Sequence, residues 1–128
     1  MSSSATIYLI PAWLDESGRH TLPEYVLDAI ARCQDFFVEN ERTTRRYFKA
    51  IWKEMVIADY RWFRMDDPGA EQQFREALRA NRTIGIVSEA GCPGVADPGQ
   101  ALVAIAQEMH AIVKPLVGPS SILLALMG

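Results

Sequence analysis

Little in this sequence points out of the cell or into a membrane. No apolar run approaches the roughly 18 residues that a spanning helix needs. The opening Met-Ser-Ser-Ser-Ala has neither the basic start nor the apolar stretch of a secretory leader. Cysteine is scarce as well. Cys33 and Cys92 stand far apart without CxxC or histidine-rich spacing, which argues against a disulfide framework and a zinc site alike. The expectation is a soluble, cytoplasmic protein in a reducing compartment, holding no metal. Positive charge is not in excess either: at a formal charge of −3 the whole chain has no attraction for nucleic acid, so any such binding must come from a local basic patch.

What the chain does have is material for a core. With 49% of its 128 residues apolar it should fold as one domain without staples. Residues 1–5 are expected to be disordered and the domain to occupy residues 6–128.

Apolar periodicity divides that domain into alternating strands and helices. Thr6-Ile-Tyr-Leu-Ile-Pro11 is a run of strand formers closed by proline, which predicts a buried strand with a loop behind it. Pro23 suits a first helical turn, and Val26, Leu27, Ile30 and Ala31 recur at core-facing spacing, so a helix should end near Cys33. A second strand is predicted over residues 36–39. Asn40 is suited to cap the next helix, which is expected to reach about Met55. Residues 60–65 form a weaker, alternating strand with the character of an edge. Asp67-Pro68-Gly69 then turns into a helix ending near Asn81, with Phe74, Ala77 and Leu78 inward. Residues 83–88 are apolar throughout, as a central parallel strand must be. A helix over residues 100–109, a strand over 111–116 and the start of a helix over 122–127 complete the pattern. The expected fold class is α/β, a Rossmann-like open sheet of five mostly parallel strands with helices on both faces and right-handed crossovers. The last helix is so apolar, with Ile122, Leu123, Leu124, Leu126 and Met127, that something must cover it. A C-terminal second domain, absent from this chain, would do so; a homodimer is the other cover.

In open α/β sheets ligands bind beyond the carboxyl ends of the strands. The loops to examine therefore follow Ile10, Glu39, Ser88 and Val117. Gly91, Gly94 and Gly99 let backbone approach a ligand closely, while Pro93 and Pro98 restrict the loop before binding. Gly118-Pro-Ser-Ser121 offers two hydroxyls and free N–H groups at a helix start, a place suited to an anionic or polar group. Glycine and proline as mere punctuation remain the plain alternative for either loop alone.

The two loops occur together and in order. Ser88-Glu-Ala-Gly-Cys-Pro-Gly-Val-Ala-Asp-Pro-Gly99 followed by Val113-Lys-Pro-Leu-Val-Gly-Pro-Ser-Ser121 resembles the tetrapyrrole methylase superfamily. Within it the likeness is greatest to the ribosomal small-subunit RNA 2′-O-ribose methyltransferase I type, and Val38-Glu-Asn-Glu-Arg42 stands where that type carries an acidic motif ending in arginine. The resemblance implies that Ala90, Gly91, Cys92 and Pro93 fall on the cofactor loop and that Pro119, Ser120 and Ser121 form a second cofactor-side turn. It further implies S-adenosylmethionine in a cleft between this domain and a C-terminal one, so that this chain alone would be inactive. The implied acceptor is ribosomal RNA. A porphyrin-type acceptor is the alternative, because Pro11 is followed by Ala12-Trp-Leu-Asp15 where the family usually has an early glycine. A non-catalytic nucleotide- or effector-binding module is a second alternative. A phosphorylation receiver is argued against by the lack of an acidic cluster after the first strand and of an aspartate ending the central one.

Arg42, Arg45, Arg46, Lys49 and Lys53 recur at three- and four-residue steps, opposite Tyr47, Phe48, Ile51, Trp52 and Met55. On a helix they would form one cationic stripe that guides RNA phosphates in a salt-sensitive way. A solvated face that offsets Glu39, Glu41 and Glu54 is the competing reading. Glu39, Asn40 and Glu89 are the acidic or amide groups nearest the strand ends, where one could orient a substrate hydroxyl. No catalytic residue is singled out.

Overall fold

Residues 5–11, 24–88 and 99–116 are described by the structure, a computed structural model. In chain order the elements are β1 (Thr6–Pro11), α1 (Glu24–Arg32), β2 (Asp35–Val38), α2 (Glu41–Ile51), a 3₁₀ turn (Ile57–Asp59), β3 (Arg61–Arg64), α3 (Ala70–Arg79), β4 (Ile84–Ser88), α4 (Gly99–Glu108) and β5 (Ile112–Pro115). The strands form one sheet in the order β3-β2-β4-β1-β5, and every neighbouring pair is parallel. The α/β class with a five-stranded, helix-covered sheet is thus as the sequence predicts.

Burial explains the order. Ile84, Ile86 and Val87 of β4 are fully buried, as are Phe36, Phe37 and Val38 of β2, so both strands need cover on two faces. The cover comes as two separate clusters. Val26, Ala29 and Ile30 of α1 and Tyr47 and Phe48 of α2 pack with Tyr8, Ile10, Phe36, Val38 and Val87. Phe74, Ala77 and Leu78 of α3 and Leu102, Ile105 and Ala106 of α4 pack with Ile7, Leu9, Phe37, Ile84 and Ile86. Alternate residues of each strand thus serve opposite layers. β3 is the edge expected of residues 60–65, with Arg61 and Arg64 exposed.

One position in the central strand depends on having no side chain. A Cβ on Gly85 would stand 2.8 Å from Ile10 Cδ1 and 2.9 Å from Phe36 Cδ1. Those two side chains meet across β4 over the bare backbone. Gly85→Ala should therefore overpack the first cluster and lower stability by about 1–3 kcal/mol, read from the denaturant midpoint at unchanged m-value.

Three sequence expectations need correction. The second helix ends at Ile51 rather than near Met55. Trp52 leaves the helical region while its N–H bonds back to the Phe48 carbonyl, and the turn that follows is held by Lys49 Nζ, which donates to the carbonyls of Lys53 at 2.6 Å and Met55 at 2.9 Å as Met55 turns into the core. The second strand starts one residue earlier, at Asp35, and stops at Val38. Ala5, assigned to the disordered start, is buried, and its carbonyl accepts from Ile112 N–H at 2.9 Å; pairing with β5 holds it in place. The ends of α3 and α4 are closed in a common way. Asn81 and His110 adopt φ of 61° and 63° after α3 and α4, and the next N–H groups, of Arg82 and Ala111, reach back to Ala77 and Ala106 carbonyls.

The amino end of the sheet is locked electrostatically. Asp35 is fully buried, yet both its oxygens are bound, by Arg61 Nε and a terminal guanidinium nitrogen at 2.9 Å each and by Arg82 Nε at 2.8 Å. Burial by itself would raise this carboxyl, but the two guanidinium groups outweigh it and hold it below the usual carboxylate value. One side chain so ties β2 to β3 and to the residue leading into β4.

Candidate functional site

Ligands of such sheets sit where neighbouring connections leave toward opposite faces. Here α1 and α2 cover one face while α3 and α4 cover the other, so the chain leaves β1 and β2 toward one side and β4 toward the other. Since β4 lies between β1 and β2, the place to look for a ligand is on either side of its carboxyl end. The register aligns the rim: Arg64 pairs with Val38, Val38 with Val87, and Val87 with Ile10.

At the β2 and β3 end of this rim lies an open cavity of about 290 Å³, lined by Glu39, Asn40, Glu41, Arg42 and Arg64. Local structure places each of them. The Asn40 side chain accepts from Thr43 N–H at 3.0 Å, capping α2 as its sequence position suggests, and so fixes the turn that carries Glu39, Glu41 and Arg42. Met65 N–H bonds to the Val38 carbonyl at 2.8 Å, which continues the β3 pairing one step and sets Arg64 beside that turn. A terminal nitrogen of Arg64 donates to Asp66 at 2.8 Å, and both side chains are more than half exposed. Asp66 favours the charged form of Arg64.

Of the residues assigned to RNA, the structure brings Glu39, Asn40 and Arg42 together. It does not assemble the whole cationic stripe. Arg45 is bound to Glu41 one turn back and its guanidinium lies 5.4 Å from the Trp62 ring centre, so it seals α2 against β3. Lys49 is bound to the carbonyls of the turn after the helix, and Lys53 lies beyond the helix. Arg46 is exposed but does not line the cavity. Arg64 was missed by the sequence reading; its signal was its place at the end of a predicted edge strand, but only strand pairing tells which loop it meets. The residues expected to hold the cofactor, Ala90, Gly91, Cys92, Pro93, Pro119, Ser120 and Ser121, and Glu89 lie outside the described residues. Burial pushes the thiol of Cys33 upward, and Sγ donates to the Ala29 carbonyl at 3.4 Å, which leaves it a core residue without reactivity. Among the described residues no group of acidic, histidine or cysteine side chains could hold a metal, and no helix is long and apolar enough to cross a membrane.

No protein-family model matches the chain. Single relatives do. A ribosomal RNA small subunit methyltransferase I from Micromonospora olivasterospora is 31% identical over 127 residues, which is 99% of this chain and 39% of the relative. The protein of the same name from Vibrio cholerae is 28% identical over 123 residues, 94% of this chain and 40% of that one. The chain is thus similar along nearly its whole length to proteins named ribosomal RNA small subunit methyltransferase I. The tetrapyrrole methylase superfamily, expected from the two loops, follows from the name these relatives share. The chain spans about two fifths of the length of the family members it matches. A crystal structure of a conserved hypothetical protein from Aeropyrum pernix K1 has the same fold over 91% of this chain and 39% of that one, with a TM-score of 0.59 at 22% identity.

Proposed function

We propose that this chain forms one wall of an S-adenosylmethionine-dependent methyltransferase that modifies the ribose 2′-hydroxyl of small-subunit ribosomal RNA in the cytoplasm. The observation that carries the reading is alignment over nearly the whole chain with family members named for ribosomal RNA methylation. Every curated relative compared bears that name, so neither a porphyrin-type acceptor nor a non-catalytic effector module is favoured. The parallel sheet supports it too, because the places beside the carboxyl end of β4 suit a nucleoside-bearing ligand. Backbone of Ala90, Gly91, Cys92 and Pro93 on one side and Pro119, Ser120 and Ser121 on the other would hold the cofactor. The remaining length of the relatives would supply the second wall and cover the apolar residues 122–127.

S-adenosylmethionine supplies a methyl group already activated on a sulfonium. The protein's part is then to align the ribose oxygen with that carbon and to exclude water, for which no strong base is required. Calorimetry on the complete protein should show binding of S-adenosylmethionine and S-adenosylhomocysteine, followed by methyl transfer to small-subunit ribosomal RNA. This chain by itself should bind weakly or not at all, since a single wall leaves much of the ligand in water. Failure of the complete protein to bind either compound would remove the proposal.

A further inference from the structure

We propose that the cavity at the carboxyl ends of β2 and β3 receives a nucleotide of the RNA adjacent to the methyl acceptor, its phosphate held between the guanidinium groups of Arg42 and Arg64. This rests on the methyltransferase reading and adds a location and a ligand group to it. The cavity, about 290 Å³, stands near the lower end of small-ligand pockets, the scale of a sugar and its phosphate.

Its two arginines come from different elements, the first turn of α2 and the end of β3. A guanidinium presents a planar fork of donors that matches phosphate oxygens two at a time. Both are available. Arg42 forms no ion pair among the described residues, and the exposed contact of Arg64 with Asp66 is the kind that contributes little and yields to a better anion. Glu41, which would repel a phosphate, is neutralised by Arg45. The Glu39 carboxylate at the same rim is an acceptor for a sugar hydroxyl. Cations and carboxylate together fit a ligand that carries an anion and hydroxyl donors at once, which is a ribonucleotide rather than free phosphate.

Position decides which nucleotide. The cavity is flanked by β2, the immediate neighbour of β4, and by β3, two strands or about 10 Å from β4, so it opens on the β3 side of the central strand's carboxyl end. RNA therefore crosses the rim at the start of α2. It does not run along the helix, where Arg45 and Lys49 are already occupied.

The test uses the complete protein with S-adenosylhomocysteine present, titrated against a labelled single-stranded RNA oligonucleotide from small-subunit ribosomal RNA and against DNA of the same sequence, across a salt series. Arg42→Gln and Arg64→Gln should each weaken RNA binding roughly fivefold or more and lower the salt slope by about 0.7, the loss of one phosphate contact on a single strand. Arg79→Gln, an exposed cation on α3, should change neither. Glu39→Ala should narrow the preference for RNA over DNA. Unchanged affinity and slope in both arginine variants, or an equal loss in Arg79→Gln, overturns the assignment, and an unchanged RNA-to-DNA ratio in Glu39→Ala overturns its ribose part. Calorimetry of S-adenosylhomocysteine on the same samples keeps the two readings apart, because cofactor binding without an arginine effect sinks only the cavity, whereas an arginine effect without cofactor binding sinks only the methyltransferase.

Discussion

Replacing Asp35 by alanine is expected to lower unfolding stability by about 3 kcal/mol, in the lower part of the range for breaking a buried ion pair. The carboxylate is fully buried, whereas Arg61 and Arg82 keep 52% and 27% of their side-chain surface, so the stranded cations regain some water when it is removed. The loss also unties three strands, since partners 26 and 47 residues away meet on this one group. A pH signature accompanies it. The carboxyl is depressed in the folded state, so its contribution is present above the ordinary value of 3.8 and is lost as pH falls through its lower folded value. Urea unfolding of wild type and Asp35→Asn should give midpoints that differ at pH 7 and converge well below pH 4. A constant difference down to the acid limit would show that geometry, and not charge, carries the effect.

The second large effect is expected at Phe36. This ring is fully buried and meets Trp62 at 4.9 Å, Phe48 at 5.1 Å and Tyr60 at 5.4 Å between ring centres, so it joins β2, α2 and β3 in one aromatic group. Phe36→Ala should cost about 3–5 kcal/mol through lost transfer energy and the cavity left behind. A coupling test checks the geometry directly. Because a Cβ at residue 85 collides with the Phe36 ring, Gly85→Ala should be better tolerated in the Phe36→Ala background, with a non-additive term above about 0.5 kcal/mol. Strict additivity would mean that the contact at Ile10 alone limits residue 85.

Several elements were legible because their signals are local. Thr6–Pro11 and residues 83–88 carry apolar runs too dense for anything but buried strands, and Asn40 has the side chain a helix start needs. The end of α2 was misread because Ile51, Trp52 and Met55 keep a helical apolar period; the backbone leaves the helix at Trp52, and the Lys49 ammonium folds over the carbonyls four and six residues on, an interaction no periodicity encodes. The basic stripe was legible only in part, for a related reason. Spacing alone set Arg42, Arg45, Arg46 and Lys49 on one face, but whether each cation is free depends on Glu41, on Trp62 from another strand and on the helix end.

By itself the sequence determined the α/β class, the alternation of elements and the loops where a ligand should be sought, since propensity, apolar period and turn chemistry act over a few residues. Only the tertiary structure decided the strand order β3-β2-β4-β1-β5, the Asp35 lock and the meeting of Arg64 with Arg42. Those depend on contacts between groups more than 20 residues apart. Which distant groups meet is chosen by the packing of both sheet faces together, and no single stretch of chain carries that choice.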